Sequence, residues 1–302
     1  MKKEFFGTLL AILAAVVSGF SIVANKVFIT DLDPTIFTAI RALFIGIICF
    51  MISSIECRFK YKKFKRVSWK YLIAIGFIGG AIAFLLFFTG LKLTTGGRAA
   101  FLQKTLPIYV MIFAFFFLKE KITKKQVFAF IIMFIGLIVL MSSQIEPSIF
   151  WPNPSWGDLL IIFATVLWAV ENIISKYTMI KKESNFVVTF ARMFFGAIFL
   201  FAIAVLWNKA YLLYQLTPQQ TFNIYVSTII LFYYVFLWYW SIKFINVSKA
   251  AALLLLAPVI SLFLGMIILD EPVPLLQLIG SALILVGAYV VARTKSEFLQ
   301  SV

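Results

Sequence analysis

An apolar run of about twenty residues, long enough to cross a bilayer, recurs roughly every thirty positions and is broken only by Pro, Gly or charges. No other feature of this chain constrains its fold as strongly. A lipid interior offers no water to backbone N–H and C=O groups, so only structures that pair those groups internally can span it. The runs predict helices at approximately 5–27, 34–56, 69–91, 97–118, 124–143, 157–177, 185–207, 221–243, 249–269 and 274–293. The fold class that follows is an all-α integral membrane protein with ten transmembrane helices, joined by linkers too short to hide a soluble domain. Lys2 and Lys3 ahead of the run 5–24 imitate a secretory signal. The run is too long for a signal core and has a counterpart in mid-chain, so it reads as the first helix.

Composition then removes several classes. With 63% hydrophobic residues, no His and two cysteines, the chain can assemble neither a familiar zinc ligand set nor a His-based triad. No metal and no cofactor are expected. All four aspartates, Asp31, Asp33, Asp158 and Asp270, fall in linkers, which leaves no aspartyl dyad within the membrane, and enzyme activity is not expected. A net charge of +15 would suit a polynucleotide, but its distribution argues against nucleic acid. Most of the basic residues sit at the ends and on alternate linkers: Lys2 and Lys3, Arg58 to Lys70, Lys119 to Lys125, Lys176 to Lys182, Lys243 and Lys249, and Arg293 and Lys295. The opposite linkers carry the acids Asp31, Asp33, Glu146, Asp158, Asp270 and Glu271. By the positive-inside rule both termini are cytoplasmic in a plasma (inner) membrane, and the basic excess meets anionic lipid.

The chain also repeats itself. At a fixed offset of 151 residues Arg41 meets Arg192, Lys92 meets Lys243, Arg98 meets Lys249, Pro107 meets Pro258, Glu120 meets Glu271, Gln126 meets Gln277 and Gly136 meets Gly287. One residue off that register, Gly7-Thr-Leu-Leu meets Gly157-Asp-Leu-Leu, and Asn25-Lys26 meets Ser175-Lys176. These matches divide the chain into a five-helix unit at 1–145, a second at 150–295 and a cytoplasmic tail at 296–302. Because five is odd, the second unit enters the membrane with opposite orientation. Inverted repeats with a site at their interface near the midplane characterise secondary transporters.

The two units resemble paired EamA domains of the drug/metabolite transporter superfamily. The residues that carry the likeness are the Gly-Leu-Leu starts, Asn25-Lys26 and Ser175-Lys176, Arg41 and Arg192, and the small-residue starts leading to Pro107 and Pro258 and then to Leu118-x-Glu120 and Leu269-x-Glu271. The resemblance runs from about 7 to 293 and implies a ten-helix carrier, proton-coupled or exchanging. Members of this kind are often exporters of amino acids or related small metabolites. Small members of the same superfamily make a lipid flippase the alternative. Two departures stand out: Ser18-Gly19 replaces the usual tryptophan-glycine that the second copy keeps as Trp168-Ala169, and Lys104, opposite Leu255, has no counterpart in the family pattern.

Polar residues inside the spans supply the candidate site. Ser18, Ser21 and Asn25 on helix 1, and Trp168, Glu171 and Ser175 on helix 6, recur at i, i+3 and i+7, so each set shares one face and should point inward. At about 1.5 Å of rise per residue, Arg41 and Lys104 lie roughly 9 Å below the outer surface with no acid nearby. Lys104 either snorkels to that surface or lines a cavity and meets a substrate carboxylate or phosphate. Glu171 and Arg192 come out at a common inner depth, which predicts an ion pair, either static or broken by protonation.

Phe84, Phe87 and Phe88 on helix 3 and Tyr233 and Tyr234 on helix 8 could wall a mostly apolar solute, while Trp238 to Trp240 read as an interfacial belt. Pro107 and Pro258 each remove a backbone hydrogen bond and predict matched kinks. The expected partners are a small-molecule substrate, a proton as candidate coupling ion and membrane lipid, in a monomer or homodimer.

Overall fold

The computed structural model describes residues 2–28, 32–58, 69–142, 155–181 and 183–295. The basic stretch from Lys60 to Arg66, Asp31, Glu146, Lys182, the junction between the two units and the proposed tail lie outside the described residues. Among the described residues there are ten helices long and apolar enough to cross a membrane. In chain order they are α1 (Lys2–Phe28), α2 (Pro34–Arg58), α3 (Trp69–Leu93), α4 (Gly96–Phe117), α5 (Lys124–Ser142), α6 (Trp156–Ile180), α7 (Asn185–Leu206), α8 (Pro218–Phe244), α9 (Val247–Leu269) and α10 (Leu275–Arg293). The sequence places each span within a few residues of these bounds.

Local chemistry sets the ends. Ser155 and Asp158 form a capping box at α6, with Asp158 N donating to Ser155 Oγ at 3.1 Å and Ser155 N to Asp158 Oδ2 at 3.0 Å. Thr217 and Gln220 do the same at α8, where Pro218 takes a first-turn position that needs no N–H partner. Asp33 accepts from the amides of Thr35 and Ile36 at the start of α2 and from Lys209 at the start of the short 3₁₀ turn Ala210–Gln215. Burial would push the Asp33 carboxyl up, but the Lys209 hydrogen bond and the two amides hold it below the usual carboxylate range.

Packing follows the duplication. Helix α1 lies against α8 and α9, and its counterpart α6 lies against α3 and α4; α2 packs on α7, and α5 on α10. Exchanging the two units leaves this pattern unchanged. The α5–α10 pair approaches so closely that a Cβ on Gly280 would sit 2.5 Å from the Gly136 carbonyl oxygen, the small-residue contact expected between helices that gain nothing from excluding lipid.

Both helices are interrupted a few residues ahead of their prolines. Helix α4 breaks at Lys104–Thr105, two to three residues before Pro107, and α9 at Leu254–Leu255, three to four before Pro258. The displacement is steric: a proline ring collides with the carbonyl four residues earlier, which is Gln103 in one copy and Leu254 in the other. The chain tightens there instead, with Thr105 N donating to Leu102 O at 3.2 Å and Leu255 N to Ala252 O at 3.0 Å. Two further irregularities have no sequence forewarning. One π-helical turn occupies Ile78–Ile82 in α3 and another Ala191–Phe195 in α7, and the two touch. Such turns concentrate at functional sites.

A candidate binding cavity at the centre of the bundle

A cavity of about 320 Å³ lies among eight of the ten helices; α5 and α10 contribute nothing to its wall. Of the residues singled out from sequence, Ser18, Ser21, Asn25, Arg41, Phe84, Lys104, Pro107, Trp168, Arg192 and Tyr234 line it. Glu171 and Ser175 are fully buried just behind that wall. Phe88 stacks on Phe84 with ring centroids 5.9 Å apart but does not reach the cavity, and Pro258 is buried away from it. Tyr233 belongs elsewhere: it is 55% exposed on the outer face of α8, so the expected aromatic wall loses that ring. Successive helical residues point about 100° apart, and only Tyr234 turns inward.

Two polar clusters flank the cavity. In the first, Arg41 Nη1 donates to Ser227 Oγ at 2.8 Å, Ser227 Oγ donates to Asn25 Oδ1 at 2.9 Å, and Asn25 Nδ2 donates to Ser21 Oγ at 3.1 Å. The Arg41 guanidinium also lies 3.7 Å from the centre of the Phe37 ring, while its Nε has no hydrogen-bond partner. The cluster contains no acid.

In the second, Glu171 Oε1 accepts from Ser175 Oγ at 2.6 Å and from Tyr239 Oη at 2.7 Å. Its Oε2 makes no hydrogen bond but faces Arg192 Nη1 at 3.6 Å, and the same nitrogen donates to Tyr239 Oη at 3.3 Å. The ion pair anticipated from depth is therefore present, with a tyrosine bridging its members. The π-turn of α3 brings Gly79 against it: a Cβ there would lie 2.3 Å from Glu171 Cγ, so only glycine fits.

Lys104 occupies the break in α4 and lines the cavity, and its Nζ has no hydrogen-bond partner among the described residues. Leu254 and Leu255 at the matching break in α9 line it too. Aromatic side chains complete the wall. Trp168 Nε1 donates to Gly79 O at 3.0 Å, and Phe84 and Phe87 pack on the Trp168 ring at 5.2 and 5.4 Å.

The run Trp238 to Trp240 is not simply an interfacial belt. Trp238 is 2% exposed, lines the cavity and donates to Asn172 Oδ1 at 2.9 Å, and Tyr239 is fully buried on Glu171. Their polar atoms are satisfied by α6 rather than by an interface. Thr38, Gln103, Asn172 and Ser227 are not named from the sequence, and Trp238 and Tyr239 only as part of a belt. Only Asn172, a second strongly polar residue inside a span and adjacent to Glu171, carried a signal that could have found it.

The two ends of the bundle are closed to different degrees. At the end that carries Lys2 and Arg293, all seven residues Val247–Leu253 of α9 are buried. Glu120 accepts from Val247 N at 2.8 Å and from Ser248 N and Oγ at 3.2 and 2.5 Å, capping α9 from the far end of α4. Lys176 Nζ donates to the carbonyls of Ile242 and Ile245, 2.5 and 2.9 Å away, at the last turn of α8. Lys249 Nζ donates to Thr294 O at 2.6 Å and to Glu4 at 3.3 Å. At the opposite end the matching segment of α4, Gly96–Gln103, buries only Ala99 and Leu102. It is held there by Arg98 against Asp158 at 3.5 Å and by Thr94 donating to the same carboxylate at 2.5 Å.

Comparison with known proteins agrees with this architecture. The EamA-like transporter family matches twice, over residues 5–142 and 155–293. An uncharacterized transporter of Archaeoglobus fulgidus is 30% identical over 76% of this chain and 81% of its own length. The uncharacterized transporter YoaV of Bacillus subtilis is 28% identical over 92% and 94%. A crystal structure of a protein only 19% identical aligns with a TM-score of 0.76 over 95% of this chain and 98% of the other, which shows that the fold is shared. With a family match across both halves, ten apolar helices and a central cavity, the chain belongs to the EamA-like transporter family and is a multi-pass membrane transporter.

Proposed function

We propose that this transporter is a secondary active exporter of a small metabolite, of amino-acid size or related, and that it works by alternating access. The observation that carries the reading is the unequal closure of the ends of a two-unit bundle. Val247–Leu253 is fully buried, and its counterpart Gly96–Gln103 is mostly not. Because each unit has an odd number of spans, the two insert in opposite directions, and exchanging their conformations turns an outward-open cavity into an inward-open one. Both termini are then cytoplasmic, in keeping with the basic linkers on that side, and the sealed end faces the cytoplasm.

The breaks before Pro107 and Pro258 give each unit a bending point within the wall of the cavity. Glu171, held by Arg192, Tyr239 and Ser175, is the group whose protonation would release Arg192 during the cycle. A volume of about 320 Å³ enclosed among eight helices lies at the small end of ligand pockets and suits a soluble solute better than a phospholipid. The cavity is complete within one chain, so monomer and homodimer serve equally.

The test is to identify metabolites that accumulate in cells lacking the protein, and then to measure their flux into proteoliposomes containing it. Saturable counterflow of such a metabolite supports the reading. Lipid scrambling without solute flux replaces it with the flippase alternative.

A further inference from the structure

We infer that the cavity selects organic anions, with a carboxylate or phosphate head at Arg41 and Lys104 and an apolar body against Phe84, Trp168 and Trp238, in preference to zwitterionic amino acids. This rests on the cavity being the transport site and narrows what occupies it.

Charge balance carries the inference. Three cationic side chains line the cavity, Arg41, Lys104 and Arg192, and no carboxylate does. Arg192 is matched by Glu171 at 3.6 Å, and Glu171 sits behind the wall with its other oxygen engaged by Ser175 and Tyr239. Arg41 has only neutral partners, Ser227 through a hydrogen bond and Phe37 through its ring face. The Lys104 ammonium has no hydrogen-bond partner among the described residues. The cavity therefore carries two positive charges that nothing on its wall balances, in a setting where unpaired charge is costly.

Hydrogen bonding points the same way. Arg41 is 8% exposed, yet its Nε has no acceptor. Buried donors left without acceptors are penalised, and an incoming anionic oxygen would relieve that penalty at Arg41 while giving the Lys104 ammonium an acceptor. Of the three side-chain amides on the wall, Asn25 and Asn172 already accept through their oxygens, from Ser227 and Trp238, which leaves Gln103 as the one amide acceptor for an ammonium. An ammonium would also enter a field of its own sign. The asymmetry between the two helix breaks then orients the ligand. One break presents Lys104, the other Leu254 and Leu255, so a solute with a charged head and a hydrocarbon body meets a matching surface at each end.

Three probes sharing one phenyl body separate the cases: 3-phenylpropionate, phenylalanine and phenethylamine, titrated against the purified full-length chain and followed by tryptophan fluorescence. The expected result is that 3-phenylpropionate binds about tenfold or more tightly than phenylalanine, with phenethylamine weakest. Lys104→Met should weaken 3-phenylpropionate by about tenfold and bring it close to phenylalanine, whereas Lys104→Arg, which keeps the charge, should preserve the ranking. Equal or tighter binding of phenylalanine, no binding of the anion at millimolar concentration, or an unchanged ranking in a folded Lys104→Met variant would each overturn the inference. Counterflow in proteoliposomes keeps the two readings apart. Anion binding without movement sinks the carrier and leaves the selectivity standing, while preferential movement of phenylalanine does the reverse.

Discussion

Arg41 and Arg192 occupy equivalent positions in the two units and live in opposite electrostatic circumstances. Arg192 faces a buried carboxylate bridged by Tyr239; Arg41 faces the hydroxyl of Ser227 and, through it, the amide of Asn25. The register explains the contrast. Where the second unit places Glu171, the first has Ser21, so one copy is internally neutral and the other is left with a net positive charge. In a duplicated scaffold the residues that repeat, such as Glu120 with Glu271 or Pro107 with Pro258, report on construction. Selectivity is to be sought where the copies disagree.

Five substitutions at four positions would break or sharpen that contrast. The largest effect belongs to Glu171→Ala, which strands the Arg192 charge and deprives Tyr239 and Ser175 of their acceptor. A loss of about 3–5 kcal/mol is expected, read as a fall in melting temperature in detergent. Glu171→Gln keeps hydrogen-bond capacity but removes the charge. It should abolish the pH dependence of transport, and an unchanged pH profile would remove Glu171 from any coupling role.

Next comes Gly79→Ala, whose new methyl would lie 2.3 Å from Glu171 Cγ. It should cost about 1–3 kcal/mol by overpacking and weaken the Glu171–Arg192 pair without touching either residue. Arg41→Met is the counterpart of breaking the pair in the other unit. Because only neutral partners are stranded, the stability loss should be about 1 kcal/mol while substrate affinity falls sharply, a split that equal losses at the two arginines would refute.

The smallest effect is at Asp33→Asn, which retains a capping side chain but loses the Lys209 pair, for about 0–1 kcal/mol. The carboxyl of Asp33 is depressed in the folded state. Its contribution is therefore present above the unfolded value near 3.8 and disappears as pH falls through the lower folded value. Wild type and variant should differ at neutral pH and converge under strongly acidic conditions.

The spans and the repeat were legible because both depend on properties that are linear in the chain: run length, and residue identity at a fixed offset. Depth is linear too, which is why Glu171 and Arg192 could be paired in advance. Azimuth is not. Tyr233 and Tyr234 share a depth but face lipid and cavity respectively. Trp238 and Tyr239 look like a membrane belt until α6 is seen to offer Asn172 and Glu171 to them. The helix breaks were foreseeable from proline, but their position required knowing that the ring strikes the carbonyl a turn earlier. The π-turns at Ile78–Ile82 and Ala191–Phe195 depend on the close approach of α3 to α7, which no local pattern encodes.

The caps at the sealed end have a consequence for how the protein is made. Glu120 leaves the ribosome more than a hundred residues before the Val247 and Ser248 amides that it holds, and Lys176 well before the carbonyls of Ile242 and Ile245. In the order of synthesis four spans, α5 to α8, separate Glu120 from its partners, and two, α7 and α8, are completed before Lys176 meets its own. The seal is thus among the last parts of the molecule to form. A ribosome that stalled before α9 would leave in the membrane a chain whose gate had no second half.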